Sequence, residues 1–353
     1  MLNQKIKQSI LAMSAVIGLS ACDKGADSFS LLSEEESFKQ ASNYIPKKMD
    51  ILWVIDNSGS MQTSQQNLAE NFQSFITRFA ANNYDFHMAV TTTEAYEAYY
   101  TNDNNLSRLS DGVATHSGVR VMTRDTPNLN TVFMANIAQG ISGNGDERAF
   151  SSFEHTLSNP LNSDFRREGA FLAIILVSDE EDASHTDWTN GWSSYSYISN
   201  ILDSRIHPVS NYVSFLDTFT NSNTNNRNYS VNTISILDNT CKTALGTGRK
   251  VGQRYMDLVD ATGGVKISLC SDFAETLSII SDSIIELASI FQLNREPVPS
   301  SIRVLVDGNE VIESATDGWS YEASNLTISF HGQAIPPADA NIQITFDPVT
   351  IIQ

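Results

Sequence analysis

MDILWVIDNSGSM, residues 49–61, decides how the rest of the chain is read. Its first half, Ile51-Leu52-Trp53-Val54-Ile55, is an apolar run of strand length and too short to cross a membrane. A strand that is apolar on both faces belongs inside a parallel sheet covered by helices. The run stops at Asp56, and Ser58 and Ser60 follow at every second position. Three oxygen-bearing side chains are thereby set at the carboxyl end of a central strand, where open α/β sheets place their ligands.

One carboxylate and two hydroxyls offer only oxygen donors, a set suited to Mg²⁺, Mn²⁺ or Ca²⁺ rather than zinc. With two neutral ligands, such an ion stays electrophilic and can take a carboxylate from another molecule. The plainer alternative is a turn in which Asp56 or Ser58 caps the following helix.

Asp56-x-Ser58-x-Ser60 after an apolar strand resembles the DxSxS signature of von Willebrand factor A domains, where it forms a metal-ion-dependent adhesion site. The resemblance covers roughly residues 46–292 and implies two further loops. One is Gly140-Ile141-Ser142-Gly143-Asn144-Gly145-Asp146-Glu147. Counted from the glycines, Glu147 takes the position of the family's threonine, with Asp146 beside it, and either acid is open as the contact. This departure adds charge, which favours Ca²⁺ and weakens the electrophile. The other loop follows a second wholly apolar strand, FLAIILVS at 171–178, which also ends in an acid, Asp179. The resemblance implies a site of Asp56, Ser58, Ser60, Glu147 and Asp179 that holds Mg²⁺ first, with Ca²⁺ or Mn²⁺ as alternatives. It implies a protein ligand presenting Asp or Glu. Glu181 and Asp182 complete a run of four acids and are weaker candidates for a second cation.

The whole chain has 353 residues, 41 acidic and 22 basic, for a formal charge of −19, so no basic face for nucleic acid is expected. Lys5 and Lys7, an apolar run over 10–19 and Leu19-Ser20-Ala21-Cys22 read as a secretion signal over 1–21. The last four residues resemble a bacterial lipobox, which implies cleavage before Cys22 and acylation (palmitate) of that residue. The expectation is a protein lipid-anchored in the cell envelope, at the outer membrane or cell surface, with Asp23 leaving the inner membrane open. The acidic stretch 22–45 reads as a tether. Cys241 and Cys270 are the two remaining cysteines, and outside the cytoplasm they are expected to form a disulfide.

The remaining pattern is α/β: a doubly wound, mostly parallel sheet over 46–293, a Pro-containing linker at 294–301 and a small all-β domain over 302–353. Helices are predicted at 61–81, 129–139, 148–157, 252–261 and 273–291, the last opened by Asp272 and Glu275 as a capping box. Further strands are predicted at 86–91, 119–123, 230–237 and 265–270, the 119–123 strand antiparallel at the edge if the resemblance holds. Beyond residue 301 the period changes to two, with Asp307-Gly308 as a hairpin turn. Two aromatic-rich stretches leave the same sheet edge as Asp56: Tyr96, Tyr99 and Tyr100 in 92–118, and Trp188, Trp192, Tyr195 and Tyr197 in 186–200. These are candidate recognition surfaces. No HExxH, GxSxG, P-loop or dinucleotide-binding glycine pattern is present, so binding rather than catalysis is expected. A metal-stabilised structural envelope protein and a metal-dependent hydrolase are the alternatives, His185 being the one histidine beside the acidic loop.

Overall fold

The computed structural model of the chain describes residues 48–81, 84–143, 145–185, 202–224, 226–338 and 340–349. The secretion signal, the Cys22 anchor, the tether and Trp188, Trp192, Tyr195 and Tyr197 lie outside the described residues. Among the described residues no helix is long and apolar enough to cross a membrane.

The strand that opened the reading is β1 (Met49–Ile55), buried at all of its positions. Parallel β2 (Phe86–Thr92) lies on one side of it and parallel β4 (Phe171–Ser178) on the other, with Ile55 facing Thr92 and Val177. Parallel β5 (Tyr229–Ser235) and β6 (Lys266–Ser268) extend the sheet, and the short antiparallel β3 (Met122–Thr123) closes the far edge. The order is β3-β2-β1-β4-β5-β6. Successive residues of β1 point to opposite faces. Ile51, Trp53 and Ile55 meet α1 (Gln62–Ala81), α3 (Leu129–Ile137) and α8 (Phe273–Ala288), while Leu52 and Val54 meet α4 (Ala149–Ser158), α5 (Val209–Phe219) and α7 (Gln253–Thr262). Leu68, Phe72, Phe75 and Phe79 form the buried stripe of α1. Trp53 lies edge-on to Phe75 and Phe133, at 5.2 and 5.5 Å between ring centres. Each such fully buried side chain contributes about 1.5–3 kcal/mol relative to exposure, so the two apolar faces hold the layers together.

The amino end of β1 carries an acid that sequence reasoning passed over. Asp50 is fully buried and accepts hydrogen bonds from Arg166 Nη1 (2.9 Å), Arg167 Nε (2.8 Å) and the Arg167 backbone N–H (2.7 Å). Arg167 also reaches Asp85 at 2.6 Å.

Cys241, on the short α6 (Asn239–Leu245), and Cys270, before α8, are joined, with Cα atoms 5.7 Å apart and 29 residues of separation. Closing a loop of that length removes roughly 3–4 kcal/mol of unfolded-chain entropy in the polymer model. Cys241→Ser is accordingly expected to lose about that much stability in urea unfolding, and reductant should lower the wild type to the same level.

Asp272 caps α8 as expected, its carboxylate accepting from the N–H groups of Ala274 and Glu275. The helix stops at Ala288, short of the predicted 291, and the chain passes into β7 (Ile290–Gln292). That strand lies within the stretch read as the first domain, yet it pairs with β11 (Thr327–Phe330), which also pairs with β10 (Trp319–Glu322). A second antiparallel sheet runs β12 (Ile342–Thr345), β8 (Arg303–Val306), β9 (Asn309–Val311). Its β8–β9 turn is Asp307-Gly308 with φ of 51° and 79°, the left-handed pair that a two-residue hairpin requires. The two small sheets enclose their own core, including Phe291, Val304, Trp319, Phe330 and Ile344. This part also docks on the larger one. The Tyr84 hydroxyl donates to the Pro336 carbonyl at 3.0 Å, His331 meets Glu286 at 2.6 Å, and Ala338 enters the larger core.

Candidate metal centre

The carboxyl ends of β1 and β4 are adjacent, and the Asp56 N–H donates to Val177 O at 3.0 Å. Asp56 is fully buried. One of its oxygens accepts from the Ser58 N–H at 2.8 Å and the other from Ser178 Oγ at 2.7 Å. Neither side chain caps α1, because Ser58 Oγ instead meets Ser60 Oγ at 3.0 Å. Ser60 Oγ then donates to Asp179 Oδ1 at 2.8 Å. Asp56, Ser58, Ser60 and Asp179 are thus joined across two strand ends by short polar contacts. Burial raises the Asp56 carboxyl from 3.8 to about 6 despite its hydrogen bonds to Ser178 and Ser58, and nearby Asp179 adds to the rise. Asp179 is also raised, chiefly by burial.

The middle loop is stitched to the first. Gln65 on α1 donates to Asp56 O (3.0 Å) and Gly140 O (2.9 Å), and the Gln139 N–H donates back to Gln65 Oε1 at 3.1 Å. The Gly143 N–H donates to Asn57 O at 2.9 Å. A Cβ at Gly143 would come within 2.7 Å of that same backbone oxygen, so the close approach requires glycine. Gly143→Ala should push residues 56–58 out of place. Supporting contacts of this kind are worth about 10–100-fold in metal affinity, and a weakening of that size in Mn²⁺ titration is the expected outcome.

Of the two acids left open in that loop, Asp146 is tied to Arg148, at 3.0 Å from Nε, and the guanidinium lies 4.5 Å from the Tyr96 ring centre. Glu147 makes no such pair. It is 2% exposed, with Thr93 beside it, and neither carboxylate oxygen has a partner in hydrogen-bond geometry. Burial and then the neighbouring Asp56 carboxyl push its pKa well up. Two orphaned buried oxygens next to Asp56 are costly unless a proton, water or cation satisfies them.

The four consecutive acids divide by task. Asp179 joins the centre, and Glu180 pairs with Lys250 at 3.4 Å. Glu181 accepts from the N–H groups of Gln253 and Arg254 at the start of α7, and burial raises it to about 7. Asp182 accepts from the Phe150 N–H near the start of α4 and pairs with Arg254 at 3.1 Å. Glu181 and Asp182 are therefore bonded to backbone N–H groups near helix starts. His185 is buried with Nδ1 against Ala183 O at 2.6 Å. Of the insert's tyrosines, Tyr96 is buried under Arg148, Tyr100 bonds to His185 O, and Tyr99 is exposed.

Among the described residues, no group of three or more His, Cys, Asp or Glu side chains is arranged as a ready metal-ligand cluster. The centre instead has two carboxylates and two hydroxyls in a chain, with the Glu147 carboxyl a charged neighbour of Asp56. That all-oxygen set and the orphaned Glu147 oxygens fit a hard divalent cation. Sequence reasoning missed Gln65 and Arg249, whose Nε lies 2.6 Å from Asp179 Oδ2.

No protein-family model matches the chain, and no curated protein matches it. Among solved structures, the pilus adhesin SpaC of Lactobacillus rhamnosus GG in its open conformation is similar at 13% identity and a TM-score of 0.41, over 85% of this chain and 38% of that one. Proximal thread matrix protein 1 of the mussel byssus gives 12% and 0.38, over 72% and 51%. The pilus adhesin RrgA of Streptococcus pneumoniae gives 11% and 0.34, over 85% and 56%. This chain therefore spans less than two thirds of each, and scores below 0.5 give these likenesses no bearing on function.

Proposed function

We propose that this chain is a von Willebrand factor A-type binding protein of the cell envelope, anchored through a lipid on Cys22. In this reading it grips an Asp or Glu of a protein partner through a divalent cation. The observation that carries the proposal is the continuous polar chain Asp56–Ser58–Ser60–Asp179 at the ends of two adjacent buried strands. Asp56 and Asp179 supply the charge, while Ser58 and Ser60 supply neutral oxygens. Gln65 and Gly143 hold the loops in register. The cation, Mg²⁺ before Ca²⁺ or Mn²⁺, supplies a Lewis-acidic centre for the partner's carboxylate. Glu147, a charged neighbour of Asp56, is the fifth residue of the set and the one that raises its net charge.

The experiment is a titration of Mg²⁺ and Mn²⁺ into the purified protein, followed by capture from envelope or host-cell extracts with and without EDTA. One saturable cation site and EDTA-sensitive capture are expected. Absence of cation binding would sink the reading. A second reading, a cation that only stabilises an envelope protein, is favoured by Glu147. With Asp56 and Asp179 it makes three carboxylates around a doubly charged ion, which blunts its pull on an outside acid. Cation-dependent melting without cation-dependent capture would select that alternative.

A further inference from the structure

Between α6 and α7 the chain runs through Gly246-Thr247-Gly248-Arg249-Lys250, with both glycines at positive φ, 100° and 87°. The segment lays two basic side chains over the third loop of the centre. Arg249 Nε is 2.6 Å from Asp179 Oδ2, and the arginine side chain is only 20% exposed. Lys250 pairs with Glu180 and donates its backbone N–H to Asp179 O at 3.2 Å. The other Asp179 oxygen takes Ser60, and the two oxygens of Asp56 take Ser58 N–H and Ser178. Among the described residues, Arg249 is the one side-chain cation in an ion pair with Asp56, Glu147 or Asp179.

A divalent ion bound to Asp179 would lie about 2.0–2.6 Å from a carboxylate oxygen. A guanidinium held on the same carboxylate would then be within a few ångströms of it, in a buried setting where like charges repel strongly. The two cations therefore compete for the charge of Asp179. Among the described residues Arg249 makes its one ion pair with Asp179, with Glu180 a weaker charged neighbour, and the preceding glycines let its backbone turn away without the steric cost other residues meet.

Resting on the metal-centre reading, we infer that Arg249 is an internal counter-cation of Asp179 that competes with the divalent ion. Filling of the centre and release of residues 246–252 are then one event. Arg249 thereby sets the concentration at which the centre fills, and a monovalent ion does not displace it.

The test measures Mn²⁺ affinity, from the electron-paramagnetic signal of the free aquo ion, for wild type, Arg249→Gln, Arg249→Ala and Lys250→Ala. Arg249→Gln keeps a polar side chain beside Asp179 and drops the charge, which protects folding. Arg249→Ala removes the pairing outright. Lys250→Ala removes the same charge one residue away and controls for general electrostatics. Both Arg249 variants should bind about tenfold tighter or more, and Lys250→Ala should stay within about threefold of wild type. Hydrogen exchange over 246–252 in the wild type should speed up on saturation with Mn²⁺. Binding by the Arg249 variants alone is the strongest form of support. Equal affinity of wild type and Arg249 variants, an equal shift in Lys250→Ala, or unchanged exchange overturns the inference while leaving the centre standing. No binding by any of the four proteins removes the centre itself, and the inference with it.

Discussion

Asp56→Asn is expected to lose cation binding by about 100-fold or more while remaining folded, and in EDTA at pH 7 to be at least as stable as the wild type. The first half follows from position, because Asp56 ends β1, accepts from the Ser58 N–H and is a charged neighbour of the Glu147 carboxyl. The second half follows from burial. Holding a carboxyl at about 6 rather than 3.8 costs about 3 kcal/mol once it is ionised. Because the folded-state value is raised, the Asp56 contribution to stability is complete below about pH 4 and is lost as pH climbs through about 6. The difference between wild type and variant in urea unfolding, measured in EDTA from pH 4 to 8, cancels most other titrating groups. It should move in the variant's favour across that window. With saturating Mg²⁺ the order should reverse, because the ion stabilises only the protein that binds it. A variant that binds Mg²⁺ as tightly as wild type would contradict the assignment.

Asp50→Ala should act at the opposite end of the same strand and in the opposite way. It leaves Arg166 and Arg167, only 18% and 15% exposed, without their shared carboxylate, and it orphans the Arg167 N–H. Breaking a buried ionic cluster by removing one partner costs about 3–5 kcal/mol. For a protein of this size that is roughly 5–8 °C in melting temperature. Mn²⁺ affinity of the folded fraction should be unchanged, since six strand residues put the two aspartates about 20 Å apart. A drop in affinity without a drop in melting temperature would contradict this division of labour between the two ends of β1.

The parallel core was legible because β1 and β4 are apolar on both faces and each stops at an acid, a pattern a half-exposed strand does not produce. The Asp50 cluster was legible in principle and was passed over. In a parallel sheet the amino ends of β1 and β4 lie together, so Arg166-Arg167 just before β4 had to face Asp50 just inside β1. The end of α8 was not legible. Phe291 fits the helical spacing of Ile280 and Ile284, but Ile-Phe-Gln serves a three-residue strand equally well, and only pairing with β11 decides. The tasks of Glu181 and Asp182 were hidden for a related reason. The helix ends they satisfy begin at Gln253 and Ala149, far away in sequence. Arg249 gave only a faint signal, two adjacent bases after a glycine in a chain with nearly twice as many acids as bases.

The strand β7 bears on how this molecule is dissected in the laboratory. By covalent order it belongs to the helix before it, and by hydrogen bonding it belongs to the sheet after it. A cut at the prolines near residue 297 would strip the small sheet of its border strand and bare Phe291 on the larger fragment. It would also take Ala338 out of the core it completes. The two halves are best expressed and handled as a single piece.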